Sequence, residues 1–162
     1  MRISTGSRNI YRLPFDKKID VRPAPFHYEG IWQRNAVDFA LEVGTPILAA
    51  GGGVVTRMQD GHAEGALKRR YLGKSNFVMI KHKYGEDSHY VHLRKGIQVS
   101  EGQEVKEGQL IGYSGLSGFT SYPHLHFAIT AYLGLLTIPA RFRENGHFMI
   151  LCSPKHIGMC SL

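Results

Sequence analysis

The sequence predicts an all-β fold, a mostly antiparallel split barrel or sandwich with a groove on one sheet face. Nineteen glycines and seven prolines punctuate short apolar runs along the 162 residues, which is typical of antiparallel β proteins. No window shows a sustained helical period with capping residues, so a helical bundle is excluded. A chain of this length can bury one core of its own.

Apolar runs bounded by turn residues predict seven strands, at residues 36–41, 45–49, 53–58, 77–83, 89–94, 109–114 and 124–131. The stretch 59–74 is polar, basic and glycine-bearing, which predicts a long surface loop, and such loops are often functional. Residues 100–107 predict a turn or short extended link. The glycine- and serine-rich stretch 115–121 predicts a hairpin connection or one wall of a cleft.

We expect a single domain over residues 1–162. Its parts would be an N-terminal wrap at 1–30, a functional core at 31–143 and a C-terminal tail at 144–162. Turn residues surround one short strand candidate, residues 10–13, in the first part. The pattern leaves the oligomeric state open.

The net charge of +7 and the pI of about 9.5 favour a polyanionic partner, with nucleic acid, an anionic membrane and an anionic cell wall all eligible. Apart from the run Lys68-Arg69-Arg70 the basic residues are scattered, without a recognition helix or an aromatic-basic motif. We therefore predict no nucleic-acid partner. No run approaches the roughly 18 apolar residues of a membrane span, which predicts no integral membrane segment.

The compartment is left open by the residues themselves. Residues 1–9 are polar and no apolar stretch follows them, so no secretory signal is visible. Cys152 and Cys160 could form a disulfide in an oxidising compartment, but two thiols are also ordinary in a cytosolic protein.

The segment most informative about chemistry is residues 123–129. Alternate side chains of a strand share a face, so His124 and His126 would point one way while Leu125, Phe127 and Ile129 enter a core. Two imidazoles projecting from a rigid strand suit a metal site. The alternative is two ordinary surface histidines on a half-exposed strand.

A second histidine lies in the run 90–93. The same alternation predicts Val91 and Leu93 in the core, with Tyr90 and His92 on the opposite face. Alone, this histidine is as well explained by a surface position.

A carboxylate, Asp38, interrupts the otherwise apolar run 36–41. An ionised aspartate buried without a partner is costly, so Asp38 requires a cation or several donors. The alternative, capping of a turn, fits poorly with such apolar flanks.

Residues 11 to about 143 resemble the LytM and lysostaphin family of zinc endopeptidases, including its staphylolysin-like branch. The matching segments follow the family's order at compatible spacings, and together they are specific although each alone is weak. They are residues 13–15, 36–40, 44–47, 50–55, 90–93, 108–112 and 123–127. The resemblance implies a zinc-dependent endopeptidase acting on peptidoglycan or another extended peptide, with the metal in a groove on one sheet face.

The resemblance implies roles residue by residue. Asp38 and His126 match zinc ligands, while His92 and His124 match two unliganded histidines, one a general base and both steadying the oxyanion. Zinc with three protein ligands keeps a fourth position for water and lowers its pKa to about 7. A neighbouring imidazole of pKa near 6.5 can take the proton.

The third ligand departs from the common pattern, which has a histidine four residues before the aspartate. Arg34 stands there and has no lone pair to offer. The staphylolysin-like branch resembles a variant with the histidine further upstream, and His27, eleven residues before Asp38, matches it. We expect His27 to complete the site, with His62 and His89 as substitutes; otherwise His27 is an exposed loop histidine.

Two smaller departures lie beside the site. Tyr122 stands where a glycine is usual and Ala128 where an acidic residue is frequent. Both could alter the groove without removing a ligand.

Two other classes of protein compete with the peptidase. One is a catalytically silent relative that binds cell wall or regulates another hydrolase. The other is a biotinyl or lipoyl carrier, whose short glycine-bounded strands resemble 51–58 and 102–112. A carrier needs a lysine in a tip motif such as Met-Lys-Met, whereas Lys106 lies between Val105 and Glu107, and the histidines would stay unexplained.

A peptidoglycan substrate implies an extracytoplasmic protein, periplasmic or secreted. We therefore expect an export signal or anchor encoded upstream of Met1. The bond that is cut stays open among polyglycine bridges, D-Ala links to a diamino acid and general peptide bonds.

Overall fold

The computed structural model describes residues 6–16, 21–22, 35–131, 133–134, 136–144 and 147–151, with backbone alone at 21–22, 144 and 147–151. Its strands are β1 (Val21–Arg22), β2 (Val37–Ala40), β3 (Pro46–Leu48), β4 (Gly53–Gln59), β5 (Asn76–Lys81), β6 (Asp87–Leu93), β7 (Glu104–Val105), β8 (Leu110–Tyr113), β9 (His124–Ala131), β10 (Leu136–Ile138), β11 (Ala140–Glu144) and β12 (His147–Leu151). Two short 3-10 turns lie at Arg69–Tyr71 and Lys83–Gly85. Across these ranges, no helix is both long and apolar enough to cross a membrane.

Eight strands form one antiparallel sheet in the order β1-β2-β9-β6-β5-β4-β7, with β10 pairing beside β9. Strand β9 is long enough to have β2 along the first half of one edge and β10 along the second half. Its other edge pairs with β6. Two small antiparallel pairs, β3 with β8 and β11 with β12, complete the fold.

The core lies on one face of the main sheet, because alternate residues of its strands are apolar. Seven side chains of this face are fully buried and belong to one cluster with Ile47 of β3 and Ile111 of β8. They are Phe39, Val78, Ile80, Tyr90, Leu125, Phe127 and Ile129. The β3–β8 pair therefore covers this face as a second layer. The prediction of an all-β antiparallel sandwich is confirmed, and so is the core face of β9.

All seven predicted strands are present, with ends shifted by a few residues. Strand β7 occupies the stretch predicted as a turn or short extended link. Strands β1 and β10 to β12 were not predicted, and β12 lies in the stretch assigned to the tail. Residues 10–13 do not form a strand: Tyr11 makes a single bridge, to Phe142.

The described part of the N-terminal segment is anchored by a buried carboxylate. Glu86, only 2% exposed, accepts hydrogen bonds from the backbone N–H groups of Arg8 and Asn9 and from the Asn9 side chain. The Tyr11 hydroxyl donates a fourth, at 2.8 Å. Burial, followed by the charge of Glu86, raises the pKa of Tyr11, so this hydroxyl keeps its proton. The segment is thus fixed at the end of the sheet where β6 begins.

The face prediction for β6 is wrong at two positions. Tyr90 is fully buried and packs edge-on against Phe127, with ring centroids 5.3 Å apart, while Val91 faces the groove. The cause is a β-bulge: Phe77 pairs with Val91 and the preceding residue of β5 pairs with Leu93, so His92 is an extra residue. An inserted residue breaks the period of two and re-aims the side chains beside it. Leu93 and His92 lie on the predicted sides.

Candidate functional site

The site begins with the pairing of β2 and β9, in which Asp38 lies opposite His126 and Ala40 opposite His124. Because paired residues share a face, the carboxylate and both imidazoles project together from the sheet. Asp38 Oδ1 lies 3.0 Å from His126 Nδ1, and Oδ2 lies 3.6 Å from His124 Nε2. Potential ligand atoms of these three residues all lie within 4.8 Å of one another.

The donor set of this cluster fits a zinc ion. Zinc takes imidazole nitrogen and carboxylate oxygen at about 2.0–2.2 Å, and three such atoms a few ångströms apart can surround one ion. Asp38 is only 5% exposed and stands between core residues of β2. A carboxylate buried this deeply is stabilised by a cation or by donors. Within the cluster His126 Nδ1 can donate to Oδ1 at 3.0 Å, and a bound cation would supply the rest.

His124 is oriented by the loop that precedes β9. Its Nδ1 lies 2.8 Å from the carbonyl oxygen of Tyr122. A carbonyl can only accept, so Nδ1 carries the proton and Nε2 presents its lone pair to Asp38. The Tyr122 ring stacks on the imidazole at 4.6 Å between centroids, which gives the unusual residue at this position a role. Burial lowers the pKa of His124.

His92 reaches the same place by a strained backbone. As the bulge residue it has φ +65°, a left-handed conformation that is uncommon outside glycine and is often found at functional sites. Its Nδ1 donates to the carbonyl of Ser117 at 2.7 Å, leaving the Nε2 lone pair available. The ring centroid lies 4.7 Å from that of His124 and 6.2 Å from that of His126. Burial lowers the pKa of His92 to about 4, which keeps the ring neutral near pH 7.

Two supporting residues escaped the sequence analysis. Asn76, fully buried, accepts from the backbone N–H of His62 and donates to the carbonyls of His62 and Leu93. Its own N–H donates to the Ser117 hydroxyl at 2.9 Å, which in turn donates to Leu93. These bonds hold the carbonyl that orients His92. Asn76 directly precedes the apolar run 77–80, and a polar residue at the start of a core strand is the signal that could have identified it.

The site lies on the floor of an open groove of about 600 Å³. The long loop and the stretch 115–121 supply walls, so the prediction that 115–121 lines a cleft is confirmed. Besides Asp38 and the three histidines, the groove is lined by Leu67, Leu72, Ser75, Val91, Phe119, Thr120, Ser121 and Tyr122.

The substitutes for the third ligand are not part of the cluster. His89 Nε2 lies 2.8 Å from the Thr130 hydroxyl, and burial lowers the pKa of His89 to about 4. His62 contacts Asn76 through its backbone. Among the described residues the compact donor group contains only Asp38, His124 and His126. His27 and Arg34 lie outside the described residues, as do Cys152 and Cys160, so the predictions for them stay predictions.

Comparison with known proteins places this arrangement in a family. The model of Peptidase family M23 matches residues 33–135. The peptidoglycan DD-endopeptidase ShyA of Vibrio cholerae is 38% identical over 128 residues, which are 75% of this chain and 27% of that protein. The glycyl-glycine endopeptidase ALE-1 of Staphylococcus capitis is 36% identical over 91 residues, 56% of this chain and 23% of that protein. The chain thus spans about a quarter of the length of these curated relatives.

A solved structure shares the fold. The catalytic domain of the antimicrobial peptidase lysostaphin from Staphylococcus simulans superposes with a TM-score of 0.54 at 26% identity, covering 76% of this chain and 86% of that one. The resemblance noted from the sequence is therefore confirmed by both sequence and structure.

Proposed function

Since this chain belongs to peptidase family M23, we propose that it is a zinc-dependent endopeptidase that hydrolyses peptide bonds in peptidoglycan stems or cross-bridges. The observation that carries the proposal is the convergence of Asp38, His92, His124 and His126 on the floor of one open groove. The named activity of ShyA supports peptidoglycan as the substrate class, and that of ALE-1, a glycyl-glycine endopeptidase, supports cleavage of a peptide bond. Those two activities differ in the bond cut, so sequence identity alone leaves that choice open.

Asp38 and His126 would hold the zinc ion, the latter through Nδ1, which already faces the carboxylate. When bound there, the ion would polarise the scissile carbonyl and lower the pKa of the attacking water.

His92 and His124 would move the protons. Both use Nδ1–H to bind a backbone carbonyl, so each offers a neutral Nε2 with a lone pair. One accepts the proton of the attacking water and returns it to the departing amine nitrogen, which balances the hydrolysis. The other would steady the negative charge that develops on the carbonyl oxygen in its protonated form, in which Nε2 carries a hydrogen that it can donate.

We propose His27 as the third ligand. A catalytic zinc usually has three protein ligands, and the roles above leave one position unfilled once His124 acts as a base. The competing assignment makes His124 the third ligand, since its Nε2 faces Asp38 at 3.6 Å.

Zinc content after gel filtration separates the two assignments. With His27 as ligand, His27→Ala loses zinc while His124→Ala and Arg34→Ala keep it. The reverse result for His27→Ala and His124→Ala would transfer the ligand role to His124.

Digestion of purified peptidoglycans of defined cross-link type tests the activity itself. The zinc-loaded protein should release new amino termini identifiable by mass spectrometry, and a chelator should stop the release until zinc is restored. A protein that carries one zinc per chain yet cleaves no peptidoglycan or peptide would overturn the proposal and favour a silent cell-wall binder.

An extracytoplasmic location follows from this substrate, which lies outside the cytoplasm. We propose that the native protein is exported or anchored at the cell envelope. Fractionation of the native organism with an antibody to this chain checks it, and a protein confined to the cytosol would contradict it.

A further inference from the structure

One wall of the groove carries several large apolar side chains that are exposed to solvent. Nine large apolar side chains are exposed among the described residues, and three of them line this one groove: Leu67 (53% exposed), Leu72 (56%) and Phe119 (42%). We call these three residues the apolar shelf. Scattered exposed apolar residues need no explanation, but a group gathered beside a reactive site is typical of a ligand-binding surface.

The shelf is held in place by its backbone. The Ala66 N–H donates to the Gly118 carbonyl, and the Gly118 N–H donates to the Glu64 carbonyl, both at 3.1 Å. Gly118 has φ +84°, and a Cβ on Gly65 would lie 2.0 Å from the Leu116 carbonyl oxygen. The two loops therefore meet so closely that only glycine fits, and the shelf needs little ordering when a ligand binds.

Positive charge lies next to the shelf. Lys68, Arg69 and Arg70 are exposed and stand between Leu67 and Leu72 in the chain. Arg70 lies over the Tyr71 ring at 4.9 Å. Arg70 and Glu64 both hydrogen-bond to the Tyr71 hydroxyl, so the charge of Glu64 offsets that of Arg70. Within the described ranges, Lys68 and Arg69 have no such carboxylate. A ligand on the shelf can thus place a carboxylate beside Lys68 and Arg69.

We propose that the shelf and the basic run select an acidic peptide with a small apolar side chain beside the scissile bond, over a peptide of glycine alone. The inference rests on the proposed function and narrows its substrate. A glycine chain has nothing to bury against Leu67, Leu72 or Phe119, whereas each buried methyl or methylene strengthens binding about fourfold, or about 0.8 kcal/mol. The shelf shares a groove with His92 and His124, so the selected residue lies within a few positions of the bond.

Binding of fluorescein-labelled hexapeptides of three designs to the zinc-loaded protein, measured by anisotropy, tests the inference separately from cleavage. Each peptide is N-methylated at its central amide to prevent turnover. The first design contains only glycine, and the second has alanine on both sides of that amide. The third adds two outer glutamates to the second. The second and third designs are each made with L-alanine and with D-alanine. We expect about tenfold tighter binding for the better alanine peptide, and a further gain from glutamate that fades at high salt.

Variants assign the effect to residues. Leu67→Ser/Leu72→Ser should reduce the alanine preference to within about twofold, and Lys68→Gln/Arg69→Gln should remove only the glutamate preference. The matched control is Leu133→Ser, since Leu133 is 90% exposed and lines a separate cavity. Its affinities and the zinc content of all variants should equal those of the wild type.

Two results would overturn the inference: a glycine peptide bound within about twofold of both alanine peptides, or a shelf variant that loses no more preference than Leu133→Ser. Unmethylated peptides are incubated in parallel. If selective binding is found but none of these is cleaved, the inference stands and the proposed function fails.

Discussion

Two buried clusters of hydrogen-bonded side chains contain histidine, one around His82 and one in the groove. They differ in how the second ring nitrogen of the histidine is used. His82 binds the Gly52 carbonyl through Nδ1 at 2.9 Å and the Ser88 hydroxyl through Nε2 at 2.7 Å. A further hydrogen bond joins Ser88 to the Tyr90 hydroxyl, which accepts from the Ala50 N–H. The polar side-chain atoms of His82, Ser88 and Tyr90 therefore all have protein partners.

In the groove, by contrast, His92 and His124 use only Nδ1 in their hydrogen bonds to the residues that the structure describes, and each bonds a backbone carbonyl there. Burial lowers the pKa of His82, His92 and His124 alike, so burial does not distinguish a structural histidine from a functional one. The uncommitted Nε2 does, because a proton can be exchanged there without breaking the fold. The comparison predicts that changes in one cluster alter metal binding and turnover while changes in the other alter stability.

The largest effect is expected for His126→Ala. Loss of the Nδ1 donor opposite Asp38 should reduce bound zinc from one equivalent to almost none and abolish hydrolysis, with the circular dichroism spectrum retained. Elemental analysis of the purified variant is the measurement, and His82→Ala is the control that should keep the metal. Full zinc occupancy in His126→Ala would remove this residue from the ligand set.

Next in size are the two bases. His92→Ala and His124→Ala should keep zinc and lower turnover about 10²–10⁴-fold, the usual contribution of general acid–base catalysis. Steady-state rates on a peptide substrate, with zinc content determined on the same samples, check this. Loss of zinc from His92→Ala as complete as from His126→Ala would show that the division of roles is wrong.

A stability effect without a functional one is expected for Ser88→Ala. The change leaves His82 Nε2 and the Tyr90 hydroxyl without their shared partner in a fully buried place. An unsatisfied buried polar group costs about 1–3 kcal/mol, so denaturant unfolding should show a decrease of that order. Zinc content and kcat should match the wild type, and a variant with normal stability but impaired turnover would contradict the separation of the two clusters.

The smallest effect concerns pH. Burial, opposed by Asp87 and Glu86, lowers the folded-state pKa of His82 below its ordinary 6.5. Below pH 6.5 the unfolded chain therefore binds a proton that the folded chain does not, and folding free energy is lost as the pH falls. Above pH 6.5 both states are neutral and the term vanishes.

Unfolding of wild type and His82→Gln between pH 8 and pH 5 isolates this term. The difference in stability between them should be constant above about pH 6.5. Below it, the advantage of the wild type should shrink by at most about 1.4 kcal/mol per pH unit. A difference that grows as the pH falls would show that His82 is protonated in the fold.

Local patterns were enough for much of this protein. Alternation placed Leu125, Phe127 and Ile129 in the core and His124 and His126 on the other face, because a strand of eight residues keeps its period of two without help from elsewhere. The apolar flanks of Asp38 marked a carboxylate that needed partners, and the ordered family segments identified the fold and the peptidase family.

Tertiary structure decided the rest, because the features concerned depend on pairing between distant segments. The face of Tyr90 and Val91 is set by a bulge that exists only in register with β5, and residues 90–93 carry no mark of it. The orientation of His92 depends on a carbonyl 25 positions away in the chain. Likewise, Leu67, Leu72 and Phe119 form one wall only because Gly65 and Gly118 form a direct backbone bridge between their two loops. Periodicity assigns a face to a residue, but only the folded backbone brings such residues to a common point.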